Sequence, residues 1–524
     1  MNSRAGTLIG AASTIAGVTL ASRVVGFGRW LVFSREVGGT CVGQAYATAN
    51  QLPNVLYEVT AGGALAAVVV PLVASAVERG DRERADRIAS ALLTWAVAVL
   101  LPLAVLVTLF AKPIASAMSG NATGRCSSMV DLTGAMLVVF APQVLLYGVG
   151  IVLSGVLQAH RRFLAAALAP LLSSIVVIAA YLAYGALTNG HDESGDTARN
   201  VLAWGTTAGV VVLSLPLLLP VHRAGVRLRP RFDFPDGVAA RARRLAGAGM
   251  VGLLAQQLAV LTTIGLANGR GDVGAVNVYN YVQAVYLLPY ALLATPIAMA
   301  AFPRLAGDDG QRVLARVLPL VGATGLLGAA ALIAIAGPVG GFFRALDARP
   351  EAMHAMTPAL AAYAPGLVGF SLVALLSRAL YTRGHARTAG LAVAAGWLVA
   401  ALAPFAGLIG VQADSTRTLV VLGACSSVGM TVAAAVLVVL VRRDWPDAEL
   451  GAAVRSWVRA AIAALVAGAA GCGLGAALGG VTGSLGGAAL AAGIVGAVVV
   501  AVFVGLLARL DGATVRAARS ALQR

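Results

Sequence analysis

Residues 88–110 read IASALLTWAVAVLLPLAVLVTLF, 23 residues without one charged side chain. At 1.5 Å per residue a helix of that length is about 35 Å long, enough to cross the hydrocarbon core of a bilayer. The pattern recurs along the chain. It predicts fourteen spanning helices, roughly at 8–37, 45–77, 88–110, 130–157, 164–188, 201–221, 245–266, 277–303, 313–336, 357–381, 389–411, 418–441, 460–478 and 487–508. The composition agrees. Of 524 residues, 59% are hydrophobic and only 11% charged, where a soluble chain carries about 25% charged residues. A soluble enzyme, a disordered chain and a disulfide scaffold are excluded. A single anchor for a soluble domain is disfavoured, because no long polar block exists. The apolar runs are continuous rather than alternating, so the expected fold is an all-α polytopic membrane protein and not a β-barrel. The 62 glycines fit helices packed through small residues.

The net charge of +16 follows from topology rather than from nucleic acid. An even number of spans puts both termini on one side. The terminal segments and the loops on that side hold 28 of the 38 basic residues, and the opposite loops hold seven. Basic residues collect in cytoplasmic loops, so both termini are expected in the cytoplasm of a plasma (inner) membrane protein. The longest internal polar segment, 222–244, follows six spans. It divides the chain into an N-terminal lobe (1–225), a C-terminal lobe (226–441) and a terminal helix pair with a tail (442–524). A parallel repeat supports the division. The second span of the first half carries Pro53 and Pro71, and that of the second half carries Pro289 and Pro303. Transporters use such repeats to form two lobes around a central site.

Covalent chemistry is not expected. The only lysine, Lys112, precedes Pro113, so no P-loop exists, and the five histidines fall in loops. No cofactor or metal is implied, because the four cysteines lie far apart without a CxxC. Cys41 and Cys126 both fall in external loops, where a disulfide can form, but the sequence leaves their distance open. Three surface readings are minor. They are a sequon at Asn121-Ala122-Thr123, an anionic-lipid patch or topology signal at Arg241-Ala242-Arg243-Arg244, and an amphipathic helix over 509–524.

The informative charges lie inside the first two spans. Arg23 is fourteen residues from the outer end of its helix, about 21 Å, too deep to snorkel. Glu58 lies at nearly the same depth in the second span, which predicts an Arg23–Glu58 pair or one cavity lined by both. Arg29 is level with Pro53 and Asn54. Gly26 and Gly28 are expected to make the helix pliable between the two arginines, since positions six apart differ by about 240° on a straight helix. A guanidinium deep in the membrane costs at least about 2.5–3.5 kcal/mol and defaults to a functional reading. Arginine reads phosphate bidentately, so the cavity suits a phosphate-bearing substrate. A structural ion pair locking two helices is the competing reading. The matching helices of the second half are polar but uncharged, with Gln257, Tyr279, Asn280 and Gln283. Each alone reads as hydrogen-bond glue between helices, worth under ~2 kcal/mol. Their clustering suggests a cavity shared with the arginines, with Pro53 and Pro289 as breaks in the helices that line it. Aromatic residues read as core packing.

The run Ser22-Arg23-Val24-Val25-Gly26-Phe27-Gly28-Arg29 resembles the SRxxGFxR signature of the MurJ/MviN lipid II flippases. Asn50-Gln51-Leu52-Pro53-Asn54-Val55-Leu56 and Val70-Pro71 resemble that family's second helix, closest to its actinobacterial branch. Tyr279-Asn280-Tyr281, Leu288-Pro289 and Phe302-Pro303-Arg304-Leu305 resemble its eighth. The resemblance implies membership of the multidrug/oligosaccharidyl-lipid/polysaccharide exporter superfamily and alternating access. It implies that a lipid-linked peptidoglycan precursor moves from the inner to the outer leaflet for cell wall synthesis, in contact with membrane lipids and cell-wall synthesis proteins. Arg23 and Arg29 match the family's cavity arginines. Gln44, Tyr57, Glu58 and Ala284 stand where well-studied members carry charged residues, so the cavity is less basic than the family's usual one. Two alternatives stay open: an exporter of another polyprenyl-linked saccharide, and a non-transporting scaffold of the wall-synthesis machinery.

Overall fold

The computed structural model describes residues 2–60, 66–120, 126–188, 195–240, 242, 250–410, 412–446 and 450–516. The sequon at Asn121, the arginines 241, 243 and 244, and positions 517–524 of the C-terminal segment lie outside the described residues. The fold is all-α, and the chain divides into two compact units, 1–253 and 254–524.

In the first unit the helices are α1 (Asn2–Glu36), α2 (Cys41–Glu58), α3 (Ala66–Glu78), α4 (Arg82–Leu109), α5 (Ala111–Ser119), α6 (Met129–Ala159), α7 (Phe163–Thr188), α8 (Asp196–Ser214) and α9 (Leu218–Arg223). Central α6 packs against α2, α4 and α8, and α1 lies along α7. Val69, Leu72 and Ile88 close one apolar core with Leu153 and Leu157 of α6. The α7–α8 crossing is made close by Gly205 and Gly209, four residues apart on one face. A Cβ on Gly205 would collide with that of Ala180, and one on Gly209 with the side chain of Val177. Small residues at this spacing let two backbones approach, which is how membrane helices gain packing energy without a hydrophobic drive.

The turn between α1 and α2 is built locally. Gly38 adopts φ 56°, Thr40 donates to the Val37 carbonyl at 2.9 Å, and its Oγ1 accepts from the Gly43 N–H at 3.0 Å. This cap satisfies an orphan donor at the start of α2. The pairing left open by the sequence is made: Cys41 and Cys126 form a disulfide, with Cα atoms 6.0 Å apart. It ties the start of α2 to the segment that enters α6.

The second unit holds α10 (Met250–Arg270), α11 (Ala275–Pro289), α12 (Thr295–Leu305), α13 (Gly310–Leu346), α14 (Met356–Tyr363), α15 (Gly366–Thr382), α16 (Ala386–Gly407), α17 (Ser415–Asp444), α18 (Leu450–Ala477) and α19 (Leu485–Leu510). The 37-residue α13 is its axis. One side packs on α15, and the other receives the terminal pair α18–α19 through Ala323, Ala330 and Ala334 against Ala460, Ala463, Ala467, Val495 and Val499. The Trp457 Nε1–H donates to the Leu318 carbonyl at 3.2 Å and fixes the register of α18. Both second spans depart from α-geometry after their proline. A π-turn occupies Val59 and Thr60 at the end of α2, and a five-residue π-helix, Tyr290–Ala294, joins α11 to α12. Proline removes one helix hydrogen bond, and the widened turn absorbs the mismatch.

Among the described residues eleven helices are long and apolar enough to cross a membrane, or twelve if the pair Pro350–Tyr363 and Gly366–Thr382, bent by 50°, is one span. The first two of the fourteen expected spans correspond to α1 and to α2 with α3, which do not belong to these twelve. Most side chains in the first half of α1 lie outside the described ones, and α2 and α3 are short helices separated at 61–65, also outside the described residues. The count of fourteen is compatible with this arrangement.

The crossing of α16 and α17 yields a direct packing prediction. A Cβ on Gly396 would collide with the Gly429 carbonyl oxygen, and one on Gly429 with that of Gly396, while Ala400 and Ala433 sit one turn along. Gly429→Leu is expected to force the helices apart at a cost of about 3 kcal/mol or more. The neighbouring Val428→Leu, on the exposed face, should be neutral. Thermal unfolding of both purified variants checks this; equal midpoints would show that the crossing tolerates a side chain.

Candidate functional site

Each unit carries its own polar cluster, and each is described separately. In the first, α1 delivers Arg29 to a wall of tyrosines. The guanidinium lies near the phenols of Tyr46 on α2, Tyr147 on α6 and Tyr181 on α7. It also lies 5.8 Å from the Trp30 ring centroid. The wall is rigid. The Tyr46 and Tyr181 hydroxyls are hydrogen-bonded at 2.8 Å, and Tyr46 also bonds Thr206 Oγ1 at 2.9 Å. Thr206 in turn donates to the Leu202 carbonyl at 2.8 Å. Phe33 packs on both tyrosine rings at 5.3 and 5.2 Å, and Phe140 meets Tyr46 edge-on at 5.6 Å. Below them Tyr57 and Tyr147 pack at 4.7 Å, and Gln143 donates to Thr207 at 2.8 Å. Buried tyrosines need partners for their hydroxyls, and here they find one another.

No carboxylate pairs with Arg29 among the described residues, although it is half-buried.

The expected Arg23–Glu58 ion pair is not formed. Both side chains are exposed, and no ion pair joins them among the described residues. Equal depth does not make two helices face each other. Over this length α1 lies along α7 and meets α2 near its outer end, where Phe33 touches Tyr46. Helix α1 runs unbroken through Gly26 and Gly28, and an added Cβ at either would meet no atom within 4 Å. Arg23 and Arg29 accordingly have different surroundings, one exposed and one half-buried. Pro53 is buried in α2 and Asn54 half-buried beside it; no hydrogen bond or ion pair connects Asn54 or Glu58 with Arg29 among the described residues.

In the second unit Tyr363 is the hub. Tyr279 lies 6.3 Å and Tyr286 5.9 Å from its ring centroid, and Gln283 is within hydrogen-bonding reach of its hydroxyl. Tyr279, Gln283 and Tyr286 project from α11 at i, i+4 and i+7, one face of a helix. The cluster thus gathers Tyr279 and Gln283 of the expected residues. Gln257 is buried on α10 and Asn280 half-buried on α11; neither is part of the hub. Pro289 ends α11 and packs against Gly328 of α13, where an added Cβ would lie 3.0 Å from the proline Cβ.

Reading aromatics as core packing missed Tyr46, Tyr147, Tyr181 and Tyr363. The available signal was the phenol itself: a tyrosine in the middle of an apolar span must find a partner for its hydroxyl. Which partner it finds, 135 and 160 positions away for Tyr46, is not a local property.

Apolar helical spans in two units, with a guanidinium beside buried tyrosines in the first, are the features of a membrane transporter. The profile of the family described as "Lipid II flippase MurJ" matches residues 33–504, and the chain belongs to that family. A probable lipid II flippase MurJ of Rhizobium meliloti is 27% identical over 73% of this chain and 72% of that protein. One of Rhizobium tropici is 26% identical over 56% of this chain and 54% of that protein's length. Among solved structures, a lipid II flippase MurJ in an inward closed conformation superposes with a TM-score of 0.73 at 16% identity, covering 94% of this chain and 98% of that one. An inward-facing multidrug resistance MATE family transporter of the MOP superfamily shares the fold at a TM-score of 0.63 and 15% identity, over 84% of this chain and 99% of that one.

Proposed function

We propose that this protein translocates lipid II, the undecaprenyl-pyrophosphate-linked peptidoglycan precursor, from the inner to the outer leaflet by alternating access. The observation that carries the reading is Arg29, a half-buried guanidinium near hydrogen-bonded tyrosines that no carboxylate pairs with among the described residues. A pyrophosphate offers paired oxygens that such a fork can hold bidentately. The saccharide would travel in the polar interior while the polyprenyl tail stays in lipid. No bond is made or broken, so the chain acts as a transporter and not as an enzyme. The membrane is the bacterial plasma membrane, with both termini in the cytoplasm, supported by the 28 to 7 distribution of basic residues. The enzymes that consume lipid II on the outer face are its natural partners.

Depletion of the protein in its host, with lipid II assayed in each leaflet, tests the reading. Cytoplasmic-side accumulation that wild-type protein reverses is the expected result. Normal lipid II distribution with an intact wall would sink the assignment in favour of another polyprenyl-linked glycan or a scaffold.

A further inference from the structure

The polar segment after α9 is not a loose loop. Residues 226–235 run extended along α4, held by a ladder of hydrogen bonds. The Asp86 carboxylate lies near Arg227 and its positive charge. The Arg229 N–H donates to Ser90 Oγ at 3.0 Å, and the Arg231 N–H to Thr94 Oγ1 at 3.0 Å. The Trp95 Nε1–H then donates to the Phe232 carbonyl at 3.0 Å. The acceptors 90 and 94 are four residues apart on a helix, a rise of about 6 Å. Alternate residues of an extended chain advance about 6.6 Å. The two periods match, so two successive alternate N–H groups find two successive helical acceptors. Val226, Leu228, Phe234 and Val238 pack into the apolar core beneath.

This register fixes what the strap presents. Extended geometry sends alternate side chains to one side, so Arg227, Arg229 and Arg231 form one row. Arg231 is paired with Asp233 at 3.2 Å. Arg227 and Arg229 are exposed, and the Arg229 guanidinium has no partner among the described residues. Further along α4 the strap ends in an exposed aromatic pair, Trp95 (44%) and Phe232 (60%), with centroids 5.5 Å apart. From Asp86 to Trp95 is nine residues of helix, about 13 Å. The surface therefore grades from two guanidinium groups to bare aromatic rings over the thickness of a lipid head group and glycerol, the layer where Trp and Arg collect.

We propose that the strap 226–235 on α4 is a binding site for an anionic phospholipid, its phosphate between Arg227 and Arg229 and its acyl chains against Trp95 and Phe232. Basic residues that serve only as a topology signal need no fixed backbone. Here six main-chain and side-chain groups are committed to hold the row in place, which lowers the ordering entropy that binding must overcome. Charge complementarity selects an anionic head group, and the adjoining aromatics select a lipid over a soluble phosphate.

The test uses full-length protein in neutral detergent titrated with phosphatidylglycerol or phosphatidylcholine, with bound lipid counted by native mass spectrometry. One phosphatidylglycerol should be retained in preference to phosphatidylcholine. Arg227→Gln with Arg229→Gln should raise its midpoint about 25-fold, about fivefold per charge. Arg161→Gln with Arg162→Gln removes two exposed arginines of the same unit that make no bond to the strap, and should shift it less than threefold. Ser90→Ala with Thr94→Ala keeps every charge but releases the ladder, and should weaken binding several-fold in protein that still elutes as wild type. Arg29→Ala should leave this binding intact, which separates the site from the proposed transport cavity. Equal shifts from the two arginine pairs, displacement by millimolar inorganic phosphate, or no preference over phosphatidylcholine would each overturn the proposal.

Discussion

Arg29→Ala is expected to abolish translocation while leaving the fold intact. Removing one partner of a desolvated charge pair costs about 2–5 kcal/mol, which is roughly 30-fold to several thousand-fold in substrate affinity or rate. The loss is specific because, among the described residues, Arg29 is the cation that lies near Tyr46, Tyr147 and Tyr181. Stability should not fall. Among the described residues Arg29 has no carboxylate to orphan, and an intramembrane guanidinium is itself unfavourable by about 2.5–3.5 kcal/mol. The thermal midpoint should therefore stay level or rise. Arg29→Lys keeps the charge but loses the fork, so partial activity is expected. Arg23→Ala should be milder, because Arg23 is exposed and makes no ion pair with Glu58. Complementation of a depleted host, read beside the leaflet distribution of lipid II, ranks the three variants. Full rescue by Arg29→Ala would remove the guanidinium from the mechanism and leave a scaffold role in view.

Reduction of the Cys41–Cys126 bond is expected to give the second large effect. The bond closes a segment of 85 residues, and on the chain-entropy scale a loop of that length contributes about 4.6 kcal/mol. A membrane holds the released helices partly in place, so this is an upper figure. For a unit of this size it corresponds to a midpoint lower by on the order of 10 °C. Cys41→Ser and Cys126→Ser should each reproduce the effect of reductant and be insensitive to it. Thiol counting gives an independent readout. Denatured but unreduced protein should take up maleimide at Cys425 and Cys472 alone, and at all four cysteines after reduction. Four reactive thiols without reductant would refute the bond. Disulfides persist in oxidising compartments, so its presence in isolated cells would also support the outward placement of these loops.

The two units differ in how a substrate anion would meet them. The first holds a cation, and the second holds neutral phenols and an amide around Tyr363. Gln44 and Ala284, where well-studied relatives are expected to carry charge, fit this uneven distribution. Binding strength would then rest on Arg29, which is why its substitution carries the largest expected effect.

By itself the sequence determined that the chain is helical and lies in a membrane. The transfer of an apolar side chain to lipid is summed helix by helix, so 23 uncharged residues at 88–110 carry the answer without any knowledge of their neighbours. It determined the family as well, through Ser22–Arg29 and the proline pairs, and it marked Arg29 as out of place, because a charge in an apolar run is anomalous wherever the helix packs. Tertiary structure alone decided azimuth and pairing. Arg23 and Glu58 share a depth, but α1 lies along α7, and helix depth says nothing about facing. Cys41 and Cys126 met because α2 and α6 pack side by side. The tyrosine wall and the Ser90–Thr94 ladder join residues more than a hundred positions apart. Such contacts depend on which small residues let two backbones approach, and that choice is settled among helices, not within one.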